Sequence, residues 1–237
     1  MKHVGARKMP DTDVKKQLLE AAKLHVPFDG WSQASFRAAM QDCEISPGLA
    51  QAVCPRGAVD LALVFHDEGD EAMLERLQAE DLGEMRFRDR VAAAVRFRLE
   101  AVEDKELVRR GVTLFSLPHH VADGGQAIWR TCDRIWVALG DTSDDVNWYT
   151  KRMTLSGVYS ATVLYWLGDT SPDHQRTWEF LDRRIDDVMR IEKFKAQARE
   201  NRLVSGLMAG PLAFLGRIKA PQDGQQTGMP GRWHGPQ

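Results

Sequence analysis

The chain of 237 residues is 43% hydrophobic and carries 32 basic and 34 acidic side chains, which give a formal net charge of −2. This composition indicates one globular domain, or two small ones, with room for a sizeable core. It contains no run of 18 or more apolar residues, and its three cysteines lack C-x-x-C or zinc spacing, so the sequence predicts neither a membrane span nor a disulfide framework.

Helical patterns follow one another through the first half of the chain, and no segment alternates with period two for long enough to form a strand. Ser32 and Ser46 precede apolar runs and are predicted N-caps, while Pro27 is predicted to end the first helix. The predicted helices are 11–26, 32–43, 47–53, 58–67, 71–82, 85–102 and 104–117. The predicted fold class is all-α.

The second half of the chain is richer in aromatic residues and continues the helical pattern over 126–139, 147–167 and 177–194. From Met153 to Gly168 it has no charged residue. A helix that is apolar on most faces must be buried against its neighbours, a partner subunit or a bound lipid, and the protein core is the most common of these. The last two helices form a pattern typical of an antiparallel hairpin, which predicts a homodimer interface. The helices over 126–167 and 177–194 are rich in Trp, Leu, Val and small residues, and they are predicted to enclose an apolar cavity that admits a prenyl chain.

The helices within residues 11–67 have the order and lengths of a helix-turn-helix, and this part of the chain resembles the N-terminal domain of TetR-type repressors. Such a motif binds DNA through the residues of its short second helix, which contact bases and phosphates. Here the segment after Pro47 offers one amide, Gln51, and no cation before Arg56. The sequence therefore predicts the scaffold without nucleic-acid binding.

Residues 201–219 place large apolar side chains on one half of a helix, and all their charges are positive. This pattern is typical of a helix that lies on an anionic membrane surface, and the alternative is a helix docked on the protein's own core. The predicted membrane contacts are Leu203, Leu207, Phe214, Leu215, Ile218, Arg202, Arg217 and Lys219. The tail 221–237 is rich in Gly, Pro and Gln and is predicted to be disordered.

Several motifs recur in order along the chain: Leu117-Pro118-His119, the stretch 145–152 (DVNWYTKR), Val158-Tyr159, the stretch 169–173 (DTSPD) and the stretch 177–181 (TWEFL). Together they resemble the Coq-nine family of ubiquinone biosynthesis, over about residues 14–220. The resemblance implies a TetR-like fold and a non-catalytic lipid-binding protein without a cofactor. It also implies a cavity for isoprenoid quinone intermediates in the domain 71–197, and cooperation with the di-iron hydroxylase that modifies demethoxyubiquinone.

The resemblance also implies residue roles. The lipid-binding candidates are Trp129, Trp148, Tyr149, Val158, Tyr159 and Trp178. The candidates for contact with the hydroxylase are Leu117, Pro118, His119, Asp133 and Trp136.

Two other classes of function remain open at this point, a TetR-type regulator with a hydrophobic ligand and an enzyme. The enzyme has little support, because the adjacent His119 and His120 lack the spacing of a helical metal-ligand pair and no nucleophile motif is present. No metal site is predicted. Residues 1–10 lack an apolar signal core and are too short for a transit peptide. The expected location is therefore cytoplasmic, peripheral to a bacterial-type inner membrane.

Overall fold

The computed structural model describes residues 11–200, with side chains up to residue 190. This part of the chain is helical and contains no strand, which confirms the predicted all-α fold. The helices are α1 (Asp11–Asp29), α2 (Gln33–Asp42), α3 (Pro47–Val53), α4 (Ala58–Ala79), α5 (Phe87–Glu100), α6 (Lys105–Phe115), α7 (Val121–Ala138), α8 (Val146–Gly168) and α9 (Gln175–Glu200), with a 3₁₀ turn at Pro172–His174. Among these residues no single helix is long and apolar enough to cross a membrane, and only the bent pair α3 and α4, at 52°, meets the length and composition of a span together.

The described chain divides into two compact units. The N-terminal unit comprises residues 11–69 and Val102–Gly124, and the C-terminal unit comprises Asp70–Ala101 and residues 125–200. The predicted domain 71–197 included α6, whereas α6 belongs to the N-terminal unit. The Trp31 indole N–H donates to the Leu107 carbonyl at 3.0 Å, and Arg110 donates to the Pro27 carbonyl at 2.7 Å. These long-range bonds tie α6 to the end of α1.

The predicted caps of the N-terminal unit are present. The Ser32 hydroxyl accepts from the backbone N–H groups of Ala34 and Ser35, and the Ser46 hydroxyl accepts from that of Leu49. The first helix was predicted to end at Pro27, but α1 continues to Asp29. Pro27 lies in the last turn, and the chain leaves the helix at Gly30, whose φ of +68° suits glycine.

Two of the predicted helix boundaries are wrong. The segments 58–67 and 71–82 form one helix, α4, which runs through Gly69. Similarly, α7 begins at Val121, before the predicted start at residue 126, and runs through Gly124. Gly124 lies against α6, where a Cβ on it would be 2.6 Å from the Cβ of Phe115. The glycine therefore permits a close approach of two helices and does not end one.

We expect Gly124→Ala to lower the free energy of unfolding by about 1–3 kcal/mol, because the added methyl group cannot occupy the space of Phe115. Gly157→Ala is the matched control, since Gly157 is also helical and a Cβ there would meet nothing within 4 Å. It should stabilise the helix by up to about 1 kcal/mol. Urea unfolding followed by circular dichroism measures the free energy of unfolding of both variants. Equal stabilisation by the two substitutions would contradict the close packing at Gly124.

Candidate functional site

The C-terminal unit contains a cavity of about 240 Å³ between α5, α7, α8 and α9. Most of its wall is apolar, with a smaller group of polar side chains. The apolar residues are Phe87, Val91, Trp136, Leu155, Val158, Ile185, Val188 and Met189, and the polar ones are Arg88, Asn147, Thr150, Lys151 and Thr154. The volume is below the roughly 300–1,000 Å³ typical of pockets for drug-sized ligands. It therefore suits a ring or a short stretch of chain, and not a complete polyprenyl tail.

One wall of the cavity is aromatic. The rings of Phe87 and Trp136 stack with centroids 5.6 Å apart, and the Lys151 Nζ lies 5.3 Å from the Trp136 ring centroid. The Trp136 Nε1–H is buried, and no acceptor for it exists among the described side chains and backbone. This wall therefore offers a flat apolar surface with one hydrogen-bond donor.

A buried ionic cluster holds the start of α8 beside this wall. Arg152 is 1% exposed. Its Nε donates to Asp133 at 2.6 Å and its Nη1 donates to Asp141 at 3.0 Å, while its guanidinium lies 4.0 Å from the Trp148 ring centroid. Lys151 donates to Asp141 at 2.7 Å and to Ser143 at 2.6 Å.

The electrostatics of this cluster keep it intact at neutral pH. Burial by itself would raise the pKa of Asp141, but hydrogen bonds from Lys151, Ser143 and Arg152 outweigh it and lower the pKa to about 2. Asp141 is therefore ionised in the folded protein. It fixes the loop between α7 and α8, and with it the Lys151 and Asn147 side of the cavity.

A second buried cluster joins α4, α5 and α7 within the C-terminal unit. The Asp70 carboxylate is 0% exposed and accepts from Arg98 Nε at 2.7 Å and from the Thr131 hydroxyl at 2.9 Å. The half-buried Arg134 also donates to it, at 3.4 Å. Burial raises the pKa of Asp70 against the opposing effect of these partners. The cluster fixes the position of α5, which carries Phe87 and Val91 of the cavity wall.

The six predicted lipid-binding residues lie in different parts of the C-terminal unit. Val158 lines the cavity. Trp129, Trp148 and Tyr149 form an aromatic cluster outside the cavity lining, with centroids 5.9 Å apart for the two indoles and 4.8 Å apart for Trp148 and Tyr149. Tyr159 is buried, and the Trp178 N–H donates to the Asp173 carbonyl at 2.8 Å. Their roles in lipid binding remain predictions.

The helix over 177–194 was expected, with the helices over 126–167, to enclose an apolar cavity, but no residue of α5 was expected in its wall. Phe87 and Val91 come from α5, and Ile185, Val188 and Met189 come from α9. The regular apolar face of the segment 177–194 was a usable signal for the α9 residues. No comparable signal exists for Phe87, which stands among arginines in the sequence.

The residues predicted to contact the hydroxylase fall into both units. Leu117, Pro118 and His119 are exposed and belong to the N-terminal unit. Asp133 and Trp136 belong to the C-terminal unit, where Asp133 accepts from Arg152 and Trp136 is half-buried in the cavity wall. For Trp136 the sequence left an exposed patch and packing on the core equally open, and in the structure its ring stacks on Phe87 in the cavity wall. The predicted membrane contacts within 201–219 and the tail 221–237 lie outside the described residues.

Comparison with known proteins relates the chain to one family. A family model described as COQ9 matches residues 121–192. The rat protein named "Ubiquinone biosynthesis protein COQ9, mitochondrial" is 31% identical over 217 residues, which cover 86% of this chain and 68% of the rat protein. The Drosophila melanogaster protein of the same name is 30% identical over 78% of this chain, and a Dictyostelium discoideum protein, named as a probable mitochondrial coq9, is 27% identical over 79%. The chain spans only 58% and 64% of the length of these last two relatives.

Among solved structures, a TetR transcriptional regulator from Nitrosomonas europaea matches with a TM-score of 0.59 and 16% identity, over 73% of this chain and 97% of the regulator. This likeness confirms the predicted TetR-like fold. The names of the relatives contradict the expected bacterial-type cytoplasmic location, because all three are called mitochondrial. That expectation rested on the composition of residues 1–10, which does not decide location.

Proposed function

This chain belongs to the COQ9 (Coq-nine) family of ubiquinone biosynthesis proteins, and we propose that it is a non-catalytic lipid-binding accessory protein. In this proposal it holds an isoprenoid quinone intermediate and presents it to the demethoxyubiquinone hydroxylase. The observation that carries the proposal is the apolar cavity between α5, α7, α8 and α9. Apolar walls with a few polar groups are the usual construction of a site for a small hydrophobic ligand.

The physical task requires no chemistry from the protein. An isoprenoid quinone partitions into the bilayer because its apolar surface is then removed from water, which is favourable by about 25 cal/mol of transfer free energy for each Å². A protein that replaces part of that apolar environment lowers the free-energy barrier to leaving the membrane. Val158 and Leu155 offer such surface, and the exposed Asn147 and Thr150 give the cavity a polar side.

We also propose a peripheral membrane contact through the segment 201–219 and a homodimer through α8 and α9. Large apolar side chains on these two helices support the dimer: Met153 and Leu164 are each 60% exposed, and the Tyr165 ring stacks on Phe180 at 4.5 Å. Sedimentation of a monomer at micromolar concentration would remove the dimer from the proposal. The exposed Leu117, Pro118 and His119 are the proposed contact with the hydroxylase.

The alternative function is that of a TetR-type regulator. The fold supports it, but the side chains at the short helix α3 disfavour DNA binding. Gln51 donates to the Pro55 carbonyl at 2.5 Å. Arg56, the nearest cation after α3, donates to Asp60 at 2.9 Å and to Asp123 at 3.1 Å. Both side chains are therefore engaged within the protein, which disfavours contacts with DNA phosphates and bases.

The experiment compares lipids retained by the purified full chain and by two variants of its C-terminal unit. We expect mass spectrometry of the extracted lipid to find an isoprenoid quinone in the wild type. Val158→Phe places a larger side chain in the cavity and should reduce retention about tenfold or more, because the space for the ligand is then occupied and a loss of about 1.4 kcal/mol corresponds to a tenfold change in affinity.

Val137→Phe is the control, because it makes the same substitution at a side chain that is 62% exposed and lies outside the cavity lining. It should retain the lipid at the wild-type level. Absence of isoprenoid lipid from the wild type, or equal retention by the two variants, would contradict the proposed function.

A further inference from the structure

We infer that the cavity recognises an oxygen atom on the ring of a neutral ligand through the indole N–H of Trp136. The ring would lie against the aromatic wall formed by Phe87 and Trp136, with a carbonyl, hydroxyl or methoxy oxygen accepting from Trp136 Nε1. The inference rests on the proposed lipid-binding function and adds to it the orientation of the ligand and the group that selects it.

The first observation is the state of the Trp136 donor. It is buried, and the described part of the chain supplies no acceptor for it. Other indoles of this protein are satisfied internally: Trp31 donates to the Leu107 carbonyl at 3.0 Å and Trp178 to the Asp173 carbonyl at 2.8 Å. Buried donors in folded proteins nearly always have a partner, because an unmade hydrogen bond in an apolar setting is costly. An oxygen on a ligand in the cavity supplies that partner.

The second observation is that the cations of the lining are already paired. Lys151 donates to Asp141 and to Ser143, and Arg88 forms ion pairs with Asp182 and Asp186. An anionic ligand such as a diphosphate or a fatty acid would need one of these cations to leave its carboxylate. A neutral oxygenated ring needs only the indole donor and the flat wall, so the charge pattern favours it.

The third observation is the size of the cavity. About 240 Å³ accommodates a substituted ring with the first part of its tail. The rings of Phe87 and Trp136, inclined at 27°, present a surface for offset stacking against a ligand ring. The ligand therefore enters with its ring first, and the rest of the tail stays outside this cavity.

The test uses two probes with the same tail in calorimetric titrations of the full chain. One is a dimethoxy-methyl-benzoquinone with a geranyl side chain, and the other is geranylbenzene, which has no ring oxygen. Trp136→Phe keeps an aromatic wall and removes the donor. It should weaken binding of the quinone about fivefold and change binding of geranylbenzene by less than about twofold.

Phe87→Leu is the control for wall area, and it should weaken both probes to a similar extent. If Trp136→Phe weakens both probes equally, or neither, the hydrogen-bond inference is overturned while lipid binding stands. Binding of geranyl diphosphate more tightly than the quinone would overturn the neutral-ring assignment. If the wild type binds no probe, the proposed function itself fails.

Discussion

Arg98→Met should lower the free energy of unfolding by about 3–5 kcal/mol, the cost typical of removing one partner from a buried ion pair. Arg98 is 4% exposed and donates to the fully buried Asp70 carboxylate at 2.7 Å. Methionine fills similar space but removes this charge-assisted hydrogen bond. The carboxylate remains in an apolar interior with weaker support from Thr131 and from Arg134 at 3.4 Å.

The double variant Asp70→Leu with Arg98→Met should recover most of the loss, because an apolar pair of similar volume often replaces a buried ion pair at little cost. Arg96→Met is the surface control, since Arg96 pairs with Glu100 at 2.6 Å while 48% exposed. It should cost less than about 1 kcal/mol. Urea unfolding at neutral pH measures all three variants, and equal losses for Arg96→Met and Arg98→Met would contradict the role of the buried cluster.

The loss in Arg98→Met should also depend on pH. Burial raises the pKa of Asp70 in the folded protein, and without Arg98 the pKa rises further. When the pKa of a carboxyl group is higher in the folded protein than in the unfolded chain, ionisation of that group destabilises the folded protein. The lost stability returns as the pH falls through the folded-state pKa towards the unfolded-state pKa. Arg98→Met should therefore be closer to the wild type in mildly acidic buffer than at pH 7.

Local signals in the sequence predicted the helices and their caps well. A cap joins a side chain to a backbone group at most three residues away, as at Ser32 and Ser46, so the sequence contains both partners together. The helix predicted over 147–167 begins within one residue of its expected start for the same reason, because the Asp145 carboxylate caps it by accepting from the Asn147 N–H at 2.8 Å. These interactions need no knowledge of the tertiary fold.

Predictions failed where a residue's role depends on a distant neighbour. Gly124 has the sequence context of a turn, but its role is set by contact with Phe115 on another helix. Asp70 follows a glycine and looks like a loop residue, yet Arg98 and Thr131 bind it inside the C-terminal unit. Helical periodicity indicates which face of a helix is buried and does not indicate which other helix covers it.

The residues of the candidate cavity show the same difference between local signals, which the sequence contains, and contacts with distant residues, which it does not indicate. Val158 was a lipid-binding candidate and lines the cavity, whereas Trp129 and Trp148, which stand out in the sequence, pack against each other outside the lining. Aromatic residues attract attention because of their size, but most of them pack in cores. Phe87 became identifiable only through its stacking on Trp136, 49 positions later in the chain.

The segment 201–219 carries the second large expected effect. Phe214→Ser together with Leu215→Ser should release the protein from anionic liposomes, with a loss of affinity of about 100-fold. Each of these side chains contributes about 1.5 kcal/mol or more when its apolar surface is buried, and about 1.4 kcal/mol corresponds to a tenfold change in the binding constant. Flotation with liposomes that contain anionic lipid measures the bound fraction.

The control variant Ala209→Ser with Ala213→Ser changes two residues on the opposite half of the predicted helix, and it should bind like the wild type. Salt should weaken only the electrostatic part of the binding free energy. Arg202, Arg217 and Lys219 each add about 1 kcal/mol to that part near an anionic surface. Neutral liposomes should therefore retain some of the protein.

Unfolding of the Phe214→Ser and Leu215→Ser variant would show instead that the segment is docked on the protein's own core. Unchanged flotation after deletion of the residues beyond Glu200 would exclude this segment as the membrane contact. If the segment 201–219 inserts into the bilayer, the substitutions should release the protein and leave it folded. If the segment is docked on the protein core, the substitutions should destabilise the fold, and another surface must contact the membrane. The unfolding curve of the variant, measured beside its flotation, therefore separates the two possibilities.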